Sequence, residues 1–202
     1  MQPEIRNPQL ETGPHRAVFL DRDGVLNEER GDYTWRPEDF RVLPDVPAAL
    51  AALHVAGYRL IVITNQAGVA KGLYTLADVA ACHAKLQSAV NGLIDAFYVA
   101  PNYPAVSESL GRKPGTLLLE KAIARFGLDP AQCWLVGDRG RDIEAGQRIG
   151  ARTVRVVAPG ETVGPDEPVA DRRAANLGEA AALILRQNAP AAAETSSGAA
   201  RA

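Results

Sequence analysis

Apolar residues fall along this chain in two alternating arrangements. Five short runs have the length of strands: "AVFL" (Ala17 to Leu20), "YRLIVIT" (Tyr58 to Thr64), "IDAFYVA" (Ile94 to Ala100), "CWLVGD" (Cys133 to Asp138) and "RTVRVV" (Arg152 to Val157). Their apolar positions are largely continuous rather than alternate, as in strands covered on both faces. Between them lie segments with helical spacing. Asp45 precedes "VPAALAALHVA" and Gly57 follows it, a start and a stop for a first helix. Thr75, with Asp78 three residues on, opens a second in "LADVAACHAKLQSAVNGL". "TLLLEKAIARF" ahead of Gly127 predicts a third, "RDIEAGQRIG" a short fourth, and about 177–186 a fifth. The stretch from Gly24 to Pro44 has no period and predicts a turn or flap, with Trp35 and Phe40 among charges. Strands separated by helices require right-handed crossovers. The predicted fold is therefore α/β: a single Rossmann-like, doubly wound, mostly parallel sheet with helices on both faces.

Length and composition narrow the class. The chain has 202 residues, 47% hydrophobic and 23% charged, enough for one well-buried core. The predicted organisation is an N-terminal extension (1–14), one domain (15–187) and a disordered tail (188–202), "NAPAAAETSSGAARA" giving that tail no apolar period. A net charge of −2 predicts no nucleic-acid or acidic-membrane partner. Cys82 and Cys133 form no C-x-x-C pair, the N-terminus lacks the apolar run of a signal peptide, and no stretch has the length of a membrane span. The expectation is a cytoplasmic protein, monomeric or a small homo-oligomer.

In open parallel sheets ligands bind beyond the carboxyl ends of the strands. Those ends carry Asp21 and Asp23, then Thr64-Asn65-Gln66, then Arg112-Lys113-Pro114, then Gly137-Asp138 with Arg139 and Asp142. Asp21, Asp23 and Asp138 make a hard-oxygen set suited to Mg²⁺, which would offset the repulsion between the carboxylates and draw in a phosphate oxygen. Asp21 could then attack phosphorus, and Asp23 could protonate the leaving oxygen and activate water. Thr64 and nearby backbone amides suit the equatorial oxygens, and Lys113 gives a fixed positive charge.

D-x-D-G after a first strand, a strand-ending Thr, a Lys-Pro and G-D-x-x-x-D resemble the haloacid dehalogenase superfamily of phosphatases. The finer pattern "FLDRDGVLN", "TNQAGVAKG", "RKPGTLLLEKA" and "VGDRGRDIEAG" is similar to its D-glycero-D-manno-heptose 1,7-bisphosphate 7-phosphatase and histidinol-phosphatase branch, from about Ala17 to Val157. The resemblance implies Asp21 as nucleophile, Asp23 as acid/base, and Asp21, Asp23 and Asp138 as Mg²⁺ ligands. It implies Thr64 and Lys113 as phosphoryl stabilisers, and Asn65, Gln66, Arg112 and Arg139 as substrate contacts. Segments between motifs leave no room for a cap domain, so the site is expected to be open to a small phosphorylated sugar. Members of the branch often carry a zinc loop before Arg-Lys-Pro. Here its four ligand positions fall on Ala100, Asn102, Ser109 and Gly111, none a thiolate or imidazole, so no structural zinc is expected and a more mobile loop is.

Other readings of the same residues are weaker. A calcium loop fails at Val25, the next alternate position after Asp23. A phospho-accepting, receiver-like signalling module would place its phosphorylated Asp at the end of a later strand, where "YRLIVIT" and "FYVAP" offer none. Among the basic residues near the rim (Arg22, Arg30, Lys71, Arg112, Arg139, Arg141), Arg22 and Arg141 read as ordinary surface charge, and Arg112 as a fork able to grip a second anionic group. Asp142 either orients the metal site or caps the following helix, and Trp35 is either a packing anchor or a pocket wall. His15, His54 and His83 have no partners at ligand spacing.

Overall fold

A computed structural model of the chain describes residues 15–106 and 109–187. The extension and the tail expected from the sequence lie outside these residues. The elements run β1 (Ala17–Leu20), α1 (Val46–Val55), β2 (Arg59–Asn65), α2 (Leu76–Ala89), β3 (Ala96–Ala100), α3 (Leu117–Phe126), β4 (Trp134–Gly137), α4 (Gly140–Arg148), β5 (Arg152–Val156), β6 (Arg172–Ala174) and α5 (Leu177–Gln187). The six strands form one sheet in the order β3-β2-β1-β4-β5-β6, every neighbouring pair parallel.

Strand side chains separate by parity into two apolar layers. Val18 and Leu20 of β1, Leu60 and Val62 of β2, and Trp134 and Val136 of β4 join residues of α1, α2 and α5. Ala17, Phe19, Ile61, Ile63 and Leu135 join residues of α3 and α4. Both faces are covered, which is why the strands read as continuous apolar runs.

The helix signals have local causes. Thr75 and Asp78 form the expected capping box, the Asp78 carboxylate accepting the Thr75 N–H at 2.8 Å. Helix α2 stops at Ala89, four residues before the predicted end, because Asn91 and Gly92 turn left-handed at φ 52° and 75°. Asp45 does not cap α1: its carboxylate accepts the N–H of Gly178, at 2.8 Å, and so ties α1 to the first turn of α5. Strand β6 has no apolar run to announce it. Its Arg172-Arg173-Ala174 lies on the sheet edge, where charge discourages further pairing.

The 24–44 stretch is irregular as expected, with only the isolated bridges Asp23–Asn27 and Asn27–Val42. Phe40 and Leu26 pin it to the core. Trp35 is half-buried and stacks on Tyr74, ring centroids 6.1 Å apart and planes 12° from parallel. That contact makes it a packing anchor.

Candidate active site

Chain order reverses on the two sides of β1, so a crevice opens beyond β1 and β4. Asp21 extends β1, its N–H donating to the carbonyl of Val136 at 2.9 Å. Asp138 follows β4 directly. Gly24, at φ +80°, turns the chain back, and a Cβ there would stand 2.7 Å from Asp138 Oδ2, so only glycine lets the two strand ends close on each other. Asp21, Asp138 and Asp142 are all buried, with carboxylate oxygens within 4.8 Å of one another.

Lys113 balances part of this charge. Its Nζ lies 2.9 Å from Asp21 Oδ1 and 2.8 Å from Asp142 Oδ1, and donates to the carbonyl of Ile63 at 2.6 Å. Two carboxylates and one carbonyl thus surround the ammonium. Burial opposes its charge, but Asp142 and Asp21 outweigh burial and hold its pKa above the ordinary lysine value. Asn65 fixes the Lys113 main chain: Oδ1 accepts its N–H at 3.0 Å and Nδ2 donates to its carbonyl at 3.1 Å. Asn65 also lines the cavity, yet both ends of its amide are engaged on Lys113. Asp142 caps α4, its Oδ2 accepting the Arg139 N–H at the start of that helix at 3.0 Å, while Oδ1 faces Lys113.

Two sequence expectations change here. The Asp23 carboxylate does not join the acid cluster; Asp142 stands there in its place. Asp23 is turned to Arg22, whose Nη2 lies 2.9 Å from Oδ1 and 3.0 Å from Oδ2, and to Asn27 Nδ2 and Gln66 Nε2 at 2.9 and 3.0 Å. Arg22 is not a surface charge. It is fully buried, donating to the carbonyl of Thr34 at 2.7 Å over the Phe40 ring, because the tight turn after β1 folds it under the flap.

The cluster suits a divalent cation. Asp138 Oδ1 is buried with no hydrogen-bond partner, while Oδ2 pairs with Arg139 Nε at 2.9 Å. Burial, then the charges of Asp21 and Asp142, push the Asp138 carboxyl up to about 7. A carboxylate held at such a cost, with one oxygen unpartnered, fits a cation that would relieve both.

A cavity of about 310 Å³ opens above these residues, lined among others by Asp21, Asp23, Tyr33, Asn65, Gln66 and Arg141. Arg141, read from sequence as bland, is thus a wall of the site. Thr64 and Gln66 are 1% and 2% exposed, and Gln66 Nε2 donates to Thr64 Oγ1 at 2.9 Å and to Asp23. With both its protons committed, that nitrogen has none for substrate, contrary to expectation. Arg139 is held by Asp138, with Glu29 and Glu161 at 3.9 and 4.0 Å, and faces a separate cavity. Arg112 donates to the carbonyl of Asn102 at 3.2 Å and lines a third cavity beside Arg148. Tyr74, which no sequence signal singled out, donates its hydroxyl to Gln66 Oε1 at 2.7 Å.

Known proteins resemble this chain in sequence and in fold. A family model described as HAD-hydrolase-like matches residues 110–180. The D-glycero-beta-D-manno-heptose-1,7-bisphosphate 7-phosphatase of Haemophilus ducreyi is 33% identical, over 73% of this chain and 86% of its own length. The D-glycero-alpha-D-manno-heptose-1,7-bisphosphate 7-phosphatase of Burkholderia mallei is also 33% identical, over 85% and 89%. Among solved structures, the D,D-heptose 1,7-bisphosphate phosphatase from B. bronchiseptica complexed with magnesium and phosphate superposes with a TM-score of 0.77 at 28% identity, covering 85% of this chain and 99% of that one. The chain therefore belongs to the haloacid dehalogenase superfamily, in the branch of the heptose-bisphosphate phosphatases, and is a phosphoric monoester hydrolase.

Proposed function

We propose that the protein is a Mg²⁺-dependent phosphatase that removes the 7-phosphate of D-glycero-D-manno-heptose 1,7-bisphosphate through an aspartyl-phosphate on Asp21. The carrying observation is Asp21 itself, a carboxylate that lines the cavity while one of its oxygens is held 2.9 Å from a buried ammonium. One Asp21 oxygen attacks phosphorus, and the phosphorus–ester oxygen bond breaks. The leaving oxygen takes a proton from Asp23. Water then attacks the same phosphorus, Asp23 takes back a proton, and phosphate leaves with Asp21 regenerated. Lys113 and the Thr64 hydroxyl stabilise charge on the phosphoryl oxygens. Asp21, Asp138 and Asp142 would hold the Mg²⁺, which supplies charge neutralisation between an anionic nucleophile and an anionic substrate.

The substrate reading rests on the relatives' names and on Arg141, a wall of the site cavity, whose charge reaches Arg112 in the neighbouring cavity. Burial, then the charge of Arg141, lowers the pKa of Arg112. A second phosphate near these two guanidinium groups would relieve that strain, which favours a bisphosphate over a monophosphate. We place the enzyme in the cytoplasm, as a monomer or small homo-oligomer without structural zinc; among the described residues no helix is long and apolar enough to cross a membrane. The test is kcat/KM with Mg²⁺ over both anomers of the heptose bisphosphate, histidinol phosphate and a generic aryl phosphate. A preference of about 100-fold or more for a heptose bisphosphate is expected, a difference of roughly 3 kcal/mol. A preference for histidinol phosphate overturns the substrate, and no hydrolysis of any ester overturns the activity.

A further inference from the structure

Behind the two groups proposed to handle the proton and the phosphoryl oxygens lies a buried relay that runs back to the flap. Gln66 is its centre. The amide presents its nitrogen to Asp23 Oδ2 at 3.0 Å, beside the Arg22 and Asn27 donors, and the opposite end, Oε1, faces the Tyr74 hydroxyl. The same nitrogen donates to Thr64 Oγ1, so the Thr64 hydroxyl accepts there and keeps its own proton for another partner. Gln66 Oε1 is left as a buried acceptor, and the Tyr74 hydroxyl fills it at 2.7 Å. Burial keeps the Tyr74 phenol protonated, its pKa pushed up to about 12, so it serves as a lasting donor.

Tyr74 is itself held by shape. A Cβ on Gly68 would stand 2.0 Å from Tyr74 Cε1, so the ring lies directly on that glycine. On the flap side, Trp35 stacks on it, and Tyr33 meets it edge-on at 5.7 Å and 61°. Tyr33 is also a wall of the cavity.

We propose that Tyr74 is a positioning residue for the phosphatase reaction: its hydroxyl locks the Gln66 amide so that one nitrogen orients Asp23 and Thr64 together, joining the flap to the catalytic groups. This deepens the proposed function, since it takes from that reading the roles of Asp23 and Thr64. Without the hydroxyl, Gln66 Oε1 is an unsatisfied buried acceptor, and the amide must swing to find a partner. The two donations to Asp23 and Thr64 then loosen while the ring contacts stay.

The test compares wild type with Tyr74→Phe, which keeps the ring, in two readouts. The first needs no activity: hydrogen exchange of the Gln66 side-chain NH₂, read by ¹⁵N NMR in the free protein. Exchange should quicken roughly tenfold or more in Tyr74→Phe, with an unchanged fold. Equal exchange overturns the lock, whatever the enzyme hydrolyses. The second is steady-state kinetics on whichever ester the wild type turns over: kcat should fall about tenfold while KM stays within about twofold. In a Gln66→Leu background, Tyr74→Phe should have no further effect on kcat, whereas a loss of the same size there would make Tyr74 mere packing and overturn the proposal. Should the wild type hydrolyse no ester, the proposed function falls, and with it the catalytic part of this proposal. The exchange readout then still decides whether Tyr74 locks the amide.

Discussion

Lys113 Nζ lies 2.9 Å from Asp21 Oδ1, with the two side chains only 1% and 6% exposed. Such a pair does two jobs: it sets a fixed positive charge beside the nucleophile, and it keeps the buried acids from repelling one another. Lys113→Met removes both. Asp21 and Asp142 would face each other without a counter-charge, so stability should fall by about 3–5 kcal/mol. The kcat should drop roughly 10²–10³-fold. Urea titration and initial rates check this, and a variant as stable as wild type would show that the buried acids need no counter-charge from Lys113.

Replacing the proposed nucleophile separates chemistry from folding. Asp21→Asn keeps the shape of the side chain but removes its charge, and should release no phosphate while remaining folded by circular dichroism. Asp23→Asn should lose roughly 10²–10⁴-fold, the usual worth of acid–base catalysis. Full activity in purified Asp21→Asn would remove it as the nucleophile.

The strand ends carried most of this site into view. Asp21 and Asp138 follow apolar strands, Thr64 sits near the end of one, and Lys113 returns across the loop after β3, so topology brings them together. What stayed hidden depended on side-chain direction. Arg22 sits between two acids and looks like surface charge, yet the turn at Gly24 drives it inward. Asp142, in the first turn of α4, brings its carboxylate into the acid cluster while that of Asp23 turns to Arg22, a difference of side-chain direction that spacing does not give. Strand β6 was invisible because an edge strand of three residues has no apolar run, and its pairing to β5 is a long-range fact.

His83 makes stability depend on pH. Its ring lies buried, stacked on Phe97 at 4.3 Å, and burial, helped by the charge of Arg22, pulls its pKa down to about 3. The unfolded chain, near pH 6.5 for this group, binds more protons than the folded one between those values. This contribution is therefore complete above about pH 6.5 and is lost progressively as pH falls toward 3. Thermal melts at pH 7.5 and 5.0 should show a smaller acid-induced fall in Tm for His83→Phe than for wild type. Equal falls would mean that the imidazole finds a partner for its second proton.

Asp138 works in the opposite sense and ties pH to metal. Its folded pKa of about 7 lies above the ordinary carboxylate value, so the metal-free folded protein binds the extra proton. Its share of stability is present at low pH and is lost as pH rises through about 7. Magnesium must displace that proton, so its affinity should rise about tenfold per pH unit below 7 and level off above it. Calorimetric titration of Mg²⁺ at pH 6, 7 and 8 measures this, including the proton released. Affinity independent of pH would place the metal away from Asp138.

The loop before Arg112 should hold no zinc. Members of this branch often clip the loop before Arg112 with four ligands, and the matching positions here are Ala100, Asn102, Ser109 and Gly111. None offers the thiolate or imidazole that a structural site needs. The two cysteines are engaged elsewhere: Cys82, on the inner face of α2, is buried in the core, and Cys133 accepts the Ala17 N–H and donates to the carbonyl of Asp129. The base of the loop carries two hydrogen bonds, Gly111 N–H on Ser109 Oγ at 3.2 Å and Leu117 N–H on the carbonyl of Leu110 at 3.1 Å. A loop without the folding energy of a metal should exchange its amides faster than a clipped one. Elemental analysis of the purified protein should find no stoichiometric zinc, and a chelator should leave Tm unchanged once Mg²⁺ is restored. About one zinc per chain, retained through chelation, would show that oxygen or backbone ligands have replaced the lost set.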